Sequence, residues 1–298
     1  MSAPRRNPLA WFAIVIIPVL LVCVVMLQVR IDALQSSLAE QHDELLIQSG
    51  PLLKKLSLGY DALLADIYWT RAVQYYGAKL PTSDRNYSLL FPMLDVATTL
   101  DPNLIAAYQF GAFFLSEKQG GAKRPDLAVQ LVKKGVIANP DDWHIASDLG
   151  FLYYMRLIDY DKASAAYFAT SKIPGAPSFF KILAARIASK GGALDTSRMI
   201  WSEVYESTQD PKVKKRALEA LKGLKAQTDE MQLDAIAEEY QKRFGRYPQS
   251  IRELLDAGMI AGNPVDPEGF PYVMGTDGKS QLDPRSTVVI DPGPTPPH

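Results

Sequence analysis

The chain has 298 residues, with 47% hydrophobic and 22% charged side chains, proportions of a foldable globular protein. Thirty-two Lys and Arg against 33 Asp and Glu leave a formal charge of -1, so no overall basic field draws in nucleic acid. One cysteine, Cys23, excludes a disulfide scaffold, and His42, His144 and His298 lack ligand spacing, so neither metal nor cofactor is expected.

Residues 1–8 carry Arg5 and Arg6. From Leu9 to Leu27 the chain reads LAWFAIVIIPVLLVCVVML, 19 residues without a charge, the length a helix needs to cross a bilayer. A cleaved signal peptide has a shorter apolar core and ends at a small-x-small site. This run leads instead into Gln28-Val29-Arg30-Ile31-Asp32, and Leu21-Val22 before Cys23 departs from a lipoprotein site. The pattern predicts an uncleaved signal anchor that contacts lipid over 9–27. Arg5 and Arg6 precede it, whereas Asp32, Glu40, Asp43 and Glu44 collect beyond it, so the amino terminus is expected in the cytoplasm. The remainder is then periplasmic, on a bacterial inner membrane. Over 28–50, Ile31, Leu34, Leu38 and Leu45 suit a helical stalk, or a short dimer seam.

A period governs 51–209. Asp101-Pro102 and Asn139-Pro140 lie 38 residues apart, and Pro174 follows Pro140 by 34. One unit reads Ala146-x2-Leu149-Gly150-x2-Tyr153, then Ala163-x3-Tyr167 and Pro174. The unit before it reads Ala107-x2-Phe110-Gly111-x2-Phe114, then Ala128-x3-Val132 and Pro140. Looser copies start at Tyr68, with Ala72 in the small position, and at Phe180, with Ala184 there. Small residues let paired helices approach, aromatics such as Tyr153 and Tyr167 fill the space between pairs, and proline stops the second helix. In register across four units, this resembles a tetratricopeptide-repeat array. The loops Ala78 to Arg85 and Glu117 to Arg124 are longer than that consensus.

The resemblance implies an all-α solenoid of helical hairpins whose first helices line a concave face for a protein partner. With the small residue as position eight, inward positions two, five, nine and twelve fall on Asp66, Trp69, Val73 and Tyr76 in the first unit. They fall on Ile105, Tyr108, Ala112 and Leu115 in the second, and on His144, Ser147, Phe151 and Tyr154 in the third. The candidate groove is therefore Asp66, Trp69, Tyr76, Tyr108, His144, Phe151 and Tyr154. It is apolar and aromatic, suited to an amphipathic helix or apolar peptide. A slip of one residue would turn the same side chains into helix-interface core. His144 lacks a cysteine or histidine companion, and Asp141-Asp142 before it reads as helix-entry chemistry.

Asp210-Pro211 opens a long amphipathic helix over 210–244, whose basic run KVKKRALEALKGLK suits either solvent or an acidic surface. Residues 245–282 then read Gly245-Arg246-Tyr247-Pro248, a short helix from Ile251, and Asp266-Pro267-Glu268-Gly269-Phe270-Pro271-Tyr272 before a small hairpin. This stretch resembles the carboxy-terminal part of the pseudopilins of type II secretion. The amino-terminal span departs from that family, with no Gly-Phe processing point and no glutamate five residues into the apolar run. Asp266, Asp277 and Asp283 lie outside EF-hand spacing and suit turns, with calcium as the rival reading. The tail 283–298 holds five prolines and is expected to be extended, and disordered past Ile290.

No phosphate loop, G-x-S-x-G or glycine-rich nucleotide turn is present, so neither enzymatic activity nor a small-molecule substrate is expected. A membrane-anchored repeat scaffold that assembles an envelope, secretion or pilus-type complex is the leading expectation. The alternative is a structural pilin-like subunit.

Overall fold

The computed structural model describes Val22, residues 24–28, Arg30, 49–82 and 86–294. The expected span 9–27 and stalk 28–50 lie largely outside the described residues. Among those described, no helix is long and apolar enough to cross a membrane.

The described chain is mostly helical. From residue 49 onward its α-helices are α1 (Gly50–Leu56), α2 (Asp61–Lys79), α3 (Leu90–Leu100), α4 (Ile105–Ser116), α5 (Pro125–Ala138), α6 (Trp143–Phe151), α7 (Tyr160–Thr170), α8 (Phe179–Lys190), α9 (Leu194–Ser207), α10 (Pro211–Phe244) and α11 (Ile251–Asp256). Local chemistry sets their starts. Asp142 accepts from the His144 and Ile145 amides at α6, Asp159 from Lys162 at α7, and Asp210 from Lys212 at α10. Pro125 and Pro211 occupy first-turn positions where a missing N–H costs nothing.

Each of α2, α4, α6 and α8 packs on the helix that follows it, and α10 packs on α9. Like helices also meet across successive pairs, α3 with α5 and α4 with α6. The small residues lie where the helices come closest. A Cβ on Gly111 would lie 2.8–2.9 Å from Leu131 and Leu94, and one on Gly150 would lie 2.8 Å from the Tyr167 ring. Ala72 and Ala184 are fully buried at the equivalent places. A continuous apolar core runs from Leu53 through Leu94, Leu131, Ile145 and Ile187 to Leu224. The loop from Glu117 to Arg124 is held from the segment before α3, where the Tyr87 hydroxyl donates to the Gly120 carbonyl at 2.8 Å.

One helix departs from the regular pattern. After Phe151, α6 widens into a π-helical segment, Leu152–Leu157, which ends at Ile158 in the left-handed region (φ 55°). Its wider turn shifts every side chain beyond Phe151 from the position that α-helical counting assigns.

Carboxy-terminal residues form a second, smaller core on the far half of α10. Leu233 and Tyr240 pack with Ile251, Leu254 and Tyr272. Gly245, at φ 75°, ends α10 in the left-handed conformation that glycine adopts without a Cβ clash. Strands β1 (Val273–Met274) and β2 (Ser280–Gln281) pair antiparallel, Val273 opposite Gln281. The module is fastened to α10 by polar contacts as well. The Tyr272 hydroxyl donates to Asp229 at 3.1 Å, and the Ser280 amide donates to Asp234 at 2.6 Å.

The tail differs from its expectation. Through Pro294 it runs back over the helices, where Arg186 holds Asp291 at 2.7 Å and Tyr154 holds Pro294.

Candidate partner-binding face

The seven groove residues counted from the repeat do not share one surface. Asp66 and His144 are exposed, Phe151 is 41% exposed, and Trp69 is half-buried. Tyr76, Tyr108 and Tyr154 are buried instead. Tyr108 is wholly inaccessible, its ring lying over Gly135 so closely that a Cβ there would fall 2.7 Å from Cδ1. The physical reason is rotation. In α4 the buried stripe runs Ala107, Tyr108, Gly111, Ala112 and Leu115, so Tyr108, Ala112 and Leu115 face the neighbouring helices. In the third unit the π segment turns Tyr154 inward.

The same rotation puts other aromatics outside. Phe110 is 56% exposed and Phe113 49%, and with Phe114, Trp69, Val73 and Gln109 they line an open cleft of about 830 Å³ between α2 and α4. Its floor is a set of contacting rings. Trp69 stacks on Phe114 at 6.2 Å, and Phe114 stacks on Tyr76 at 4.1 Å, so the buried Tyr76 supports the exposed rings. Trp69 and Val73 belong to the expected groove, whereas Phe110, Phe113 and Phe114 do not. A signal for them exists in the sequence. Helix α4 reads IAAYQFGAFFLS, too apolar for one buried stripe, and its surplus rings must emerge on the opposite side.

A half-buried carboxylate stands beside the cleft. Burial pushes the Asp148 carboxyl of α6 up to about 6, opposed by a hydrogen bond from Gln109, while the His144 side chain favours its charge and Asp142 disfavours it. Its Oδ2 has no hydrogen-bond partner. Gln109 therefore faces both Asp148 and the cleft.

His144 stands on the first turn of α6 beside its capping aspartate. Its Nδ1 lies 3.1 Å from Asp142, its ring stacks on Trp143 at 3.6 Å, and its side chain is 57% exposed. The three turn aspartates are occupied separately. Asp266 accepts from the Glu268 and Phe270 amides and from the Ser286 hydroxyl, Asp277 accepts from the Lys279 amide, and Asp283 pairs with Arg285 at 2.9 Å. Among the described residues no group of three or more His, Cys, Asp or Glu side chains is arranged to hold a metal ion.

No family model matches the chain, and searches of curated proteins and of solved structures return no match.

Proposed function

We propose that this protein is a non-enzymatic scaffold of the tetratricopeptide-repeat kind, anchored through 9–27 and displayed on the periplasmic side of a bacterial inner membrane. Its helical pairs stack as a solenoid, and its first helices α2, α4, α6, α8 and α10 carry the binding face. The pseudopilin-like module closes the far end of α10 and associates the scaffold with assembly of an envelope, secretion or pilus-type complex.

The observation that carries the reading is the exposed aromatic cleft of Trp69, Val73, Phe110 and Phe113. Isolated apolar side chains are ordinary on a protein surface, but contiguous rings held open by a rigid floor mark an interaction site. Aromatic side chains supply the anchors in most protein interfaces.

A photo-reactive amino acid at Phe113 of the full chain, activated in native membranes, should give one discrete protein adduct. Phe110→Ala should abolish that adduct while the melting temperature stays within about 2 °C, since the ring is mostly solvated. Absence of any adduct from wild-type membranes would overturn the reading. So would activity of a cytoplasm-only reporter fused after Asn263.

A further inference from the structure

The tail is seated on the first-helix face, and its seat has the features of a fitted site. Gly223 lies within α10, where a Cβ would collide with the Val289 carbonyl oxygen, so this helix leaves room for passing backbone. Two residues on, Asp291 receives the Arg186 guanidinium, with Nε at 2.7 Å and a second nitrogen at 3.3 Å. Arg186 holds the Asp291 carboxyl below its ordinary range, burial opposes this, and Arg216 adds a smaller favourable field. Gly293 is buried at φ 78°, its Cα side against the Arg186 carbonyl and Lys190, where a Cβ would lie 2.6–2.8 Å from both. The Tyr154 hydroxyl then donates to the Pro294 carbonyl at 2.5 Å. From Val289 to Pro294 the tail thus crosses α10, α8 and the π-helical segment that follows α6. The next first helix is α4, which packs on α6 and carries Phe110 and Phe113.

The tail itself lies outside the hydrophobic core of the helices, although the Tyr154 ring that meets it is part of that core. Val289 is 73% exposed, and no tail residue joins the buried cluster of the array. The seat is built from one carboxylate pair, close backbone passage and a carbonyl acceptor. That is how an extended peptide is recognised, its chain running over aromatic and basic side chains with little side-chain burial.

We propose that the tail is an intramolecular occupant of the partner-binding face, and that the partner presents an extended, proline-containing segment with one carboxylate that displaces it. The inference rests on the scaffold reading and names its ligand class. Arg186 reads the carboxylate, the Gly223 gap admits backbone, and the aromatic cleft between α2 and α4 takes the apolar end of a longer segment. A tethered occupant competes at high effective concentration, so it lowers apparent affinity by the fraction of time that it holds the face.

The test uses the full-length protein in detergent and a fluorescent synthetic peptide of residues 286–298, read by anisotropy. Wild type should bind the peptide weakly. The Asp291→Lys/Gly293→Val chain, whose own tail is repelled and cannot pass Lys190, should bind it about tenfold tighter or more. Adding Arg186→Glu to that chain should remove the gain, and a peptide carrying Asp291→Lys should restore it by reversing the ion pair. Equal affinity in wild type and the released chain overturns the proposal, as does binding indifferent to Arg186. If two differently tagged copies of wild type exchange tails and co-purify, the occupant is a second copy, and the separate partner is overturned. Failure of peptide binding alongside a persistent Phe113 adduct refutes this inference and leaves the scaffold standing, whereas loss of both refutes both.

Discussion

Tyr154 and Pro294 stand 140 residues apart in the chain, yet the tyrosine hydroxyl donates to the proline carbonyl at 2.5 Å. The ring itself is 6% exposed, in a π-helical turn, with Tyr160 at 6.0 Å. Its ring and hydroxyl therefore have separable duties, packing in the helical core and holding the tail.

Tyr154→Phe should release Pro294 and leave the helical core intact. Protease cleavage near the tail should rise with a melting temperature within about 2 °C of wild type. Tyr154→Ala should instead lower it by several degrees, because emptying a buried aromatic site costs ~3–5 kcal/mol. Equal melting temperatures for the two variants would show that the ring is not part of the core.

Gly223→Ala gives a directional test of tail docking. In a helix interior, alanine is favoured over glycine by ~1 kcal/mol, so an unobstructed site would be stabilised. Here the added methyl meets the Val289 carbonyl. The variant should show a tail cleaved faster by protease. Gly77→Ala, in a helix with open space around it, should raise the melting temperature without touching the tail. Unchanged cleavage in the first variant would count against the seat.

Gly150→Val should destabilise the protein by ~1–3 kcal/mol in urea unfolding, because its side chain has to enter space filled by the Tyr167 ring. A neutral result would mean that α6 and α7 can separate without loss.

Asp148 makes stability depend on pH. Burial raises its folded pKa to about 6, above the ~3.9 of an unfolded aspartate, so the folded state binds the extra proton between those values. Its contribution is therefore fully present below about pH 4 and lost as pH rises through 6. Stability from this group should fall across that window by on the order of 2 kcal/mol. Asp148→Asn should flatten the slope in chemical denaturation at pH 4.5 and 7. An unaltered slope would assign the dependence to another group.

Removing 245–298 should leave α2 to α9 folded while the far half of α10 frays. Leu233 and Tyr240 would lose their cover from Ile251, Leu254 and Tyr272, whereas Leu224 would keep its contacts with the larger helical core. Hydrogen exchange should rise past about residue 228 and hold steady in α2 to α9. Protection lost throughout would show one cooperative unit.

Periodicity and small residues made the helical pairs legible, because close helix approach excludes side chains at fixed spacing and leaves glycine or alanine in register. Gly111, Gly150, Ala72 and Ala184 lie at such contacts in the structure. Proline, aspartate and Gly245 likewise announce helix ends through backbone chemistry that acts within a few residues. The open face was only half legible. Trp69 and Val73, counted inward by the repeat, line the aromatic cleft, but Tyr108 is core and the exposed Phe110 and Phe113 were not counted. Which stripe of an apolar helix turns inward depends on its rotation against two neighbours, and a π turn resets that rotation without a local cue. The tail's seat was not legible at all. Proline content alone describes an extended chain, and only tertiary structure brings Arg186, Gly223 and Tyr154 from three helices to the backbone that they hold.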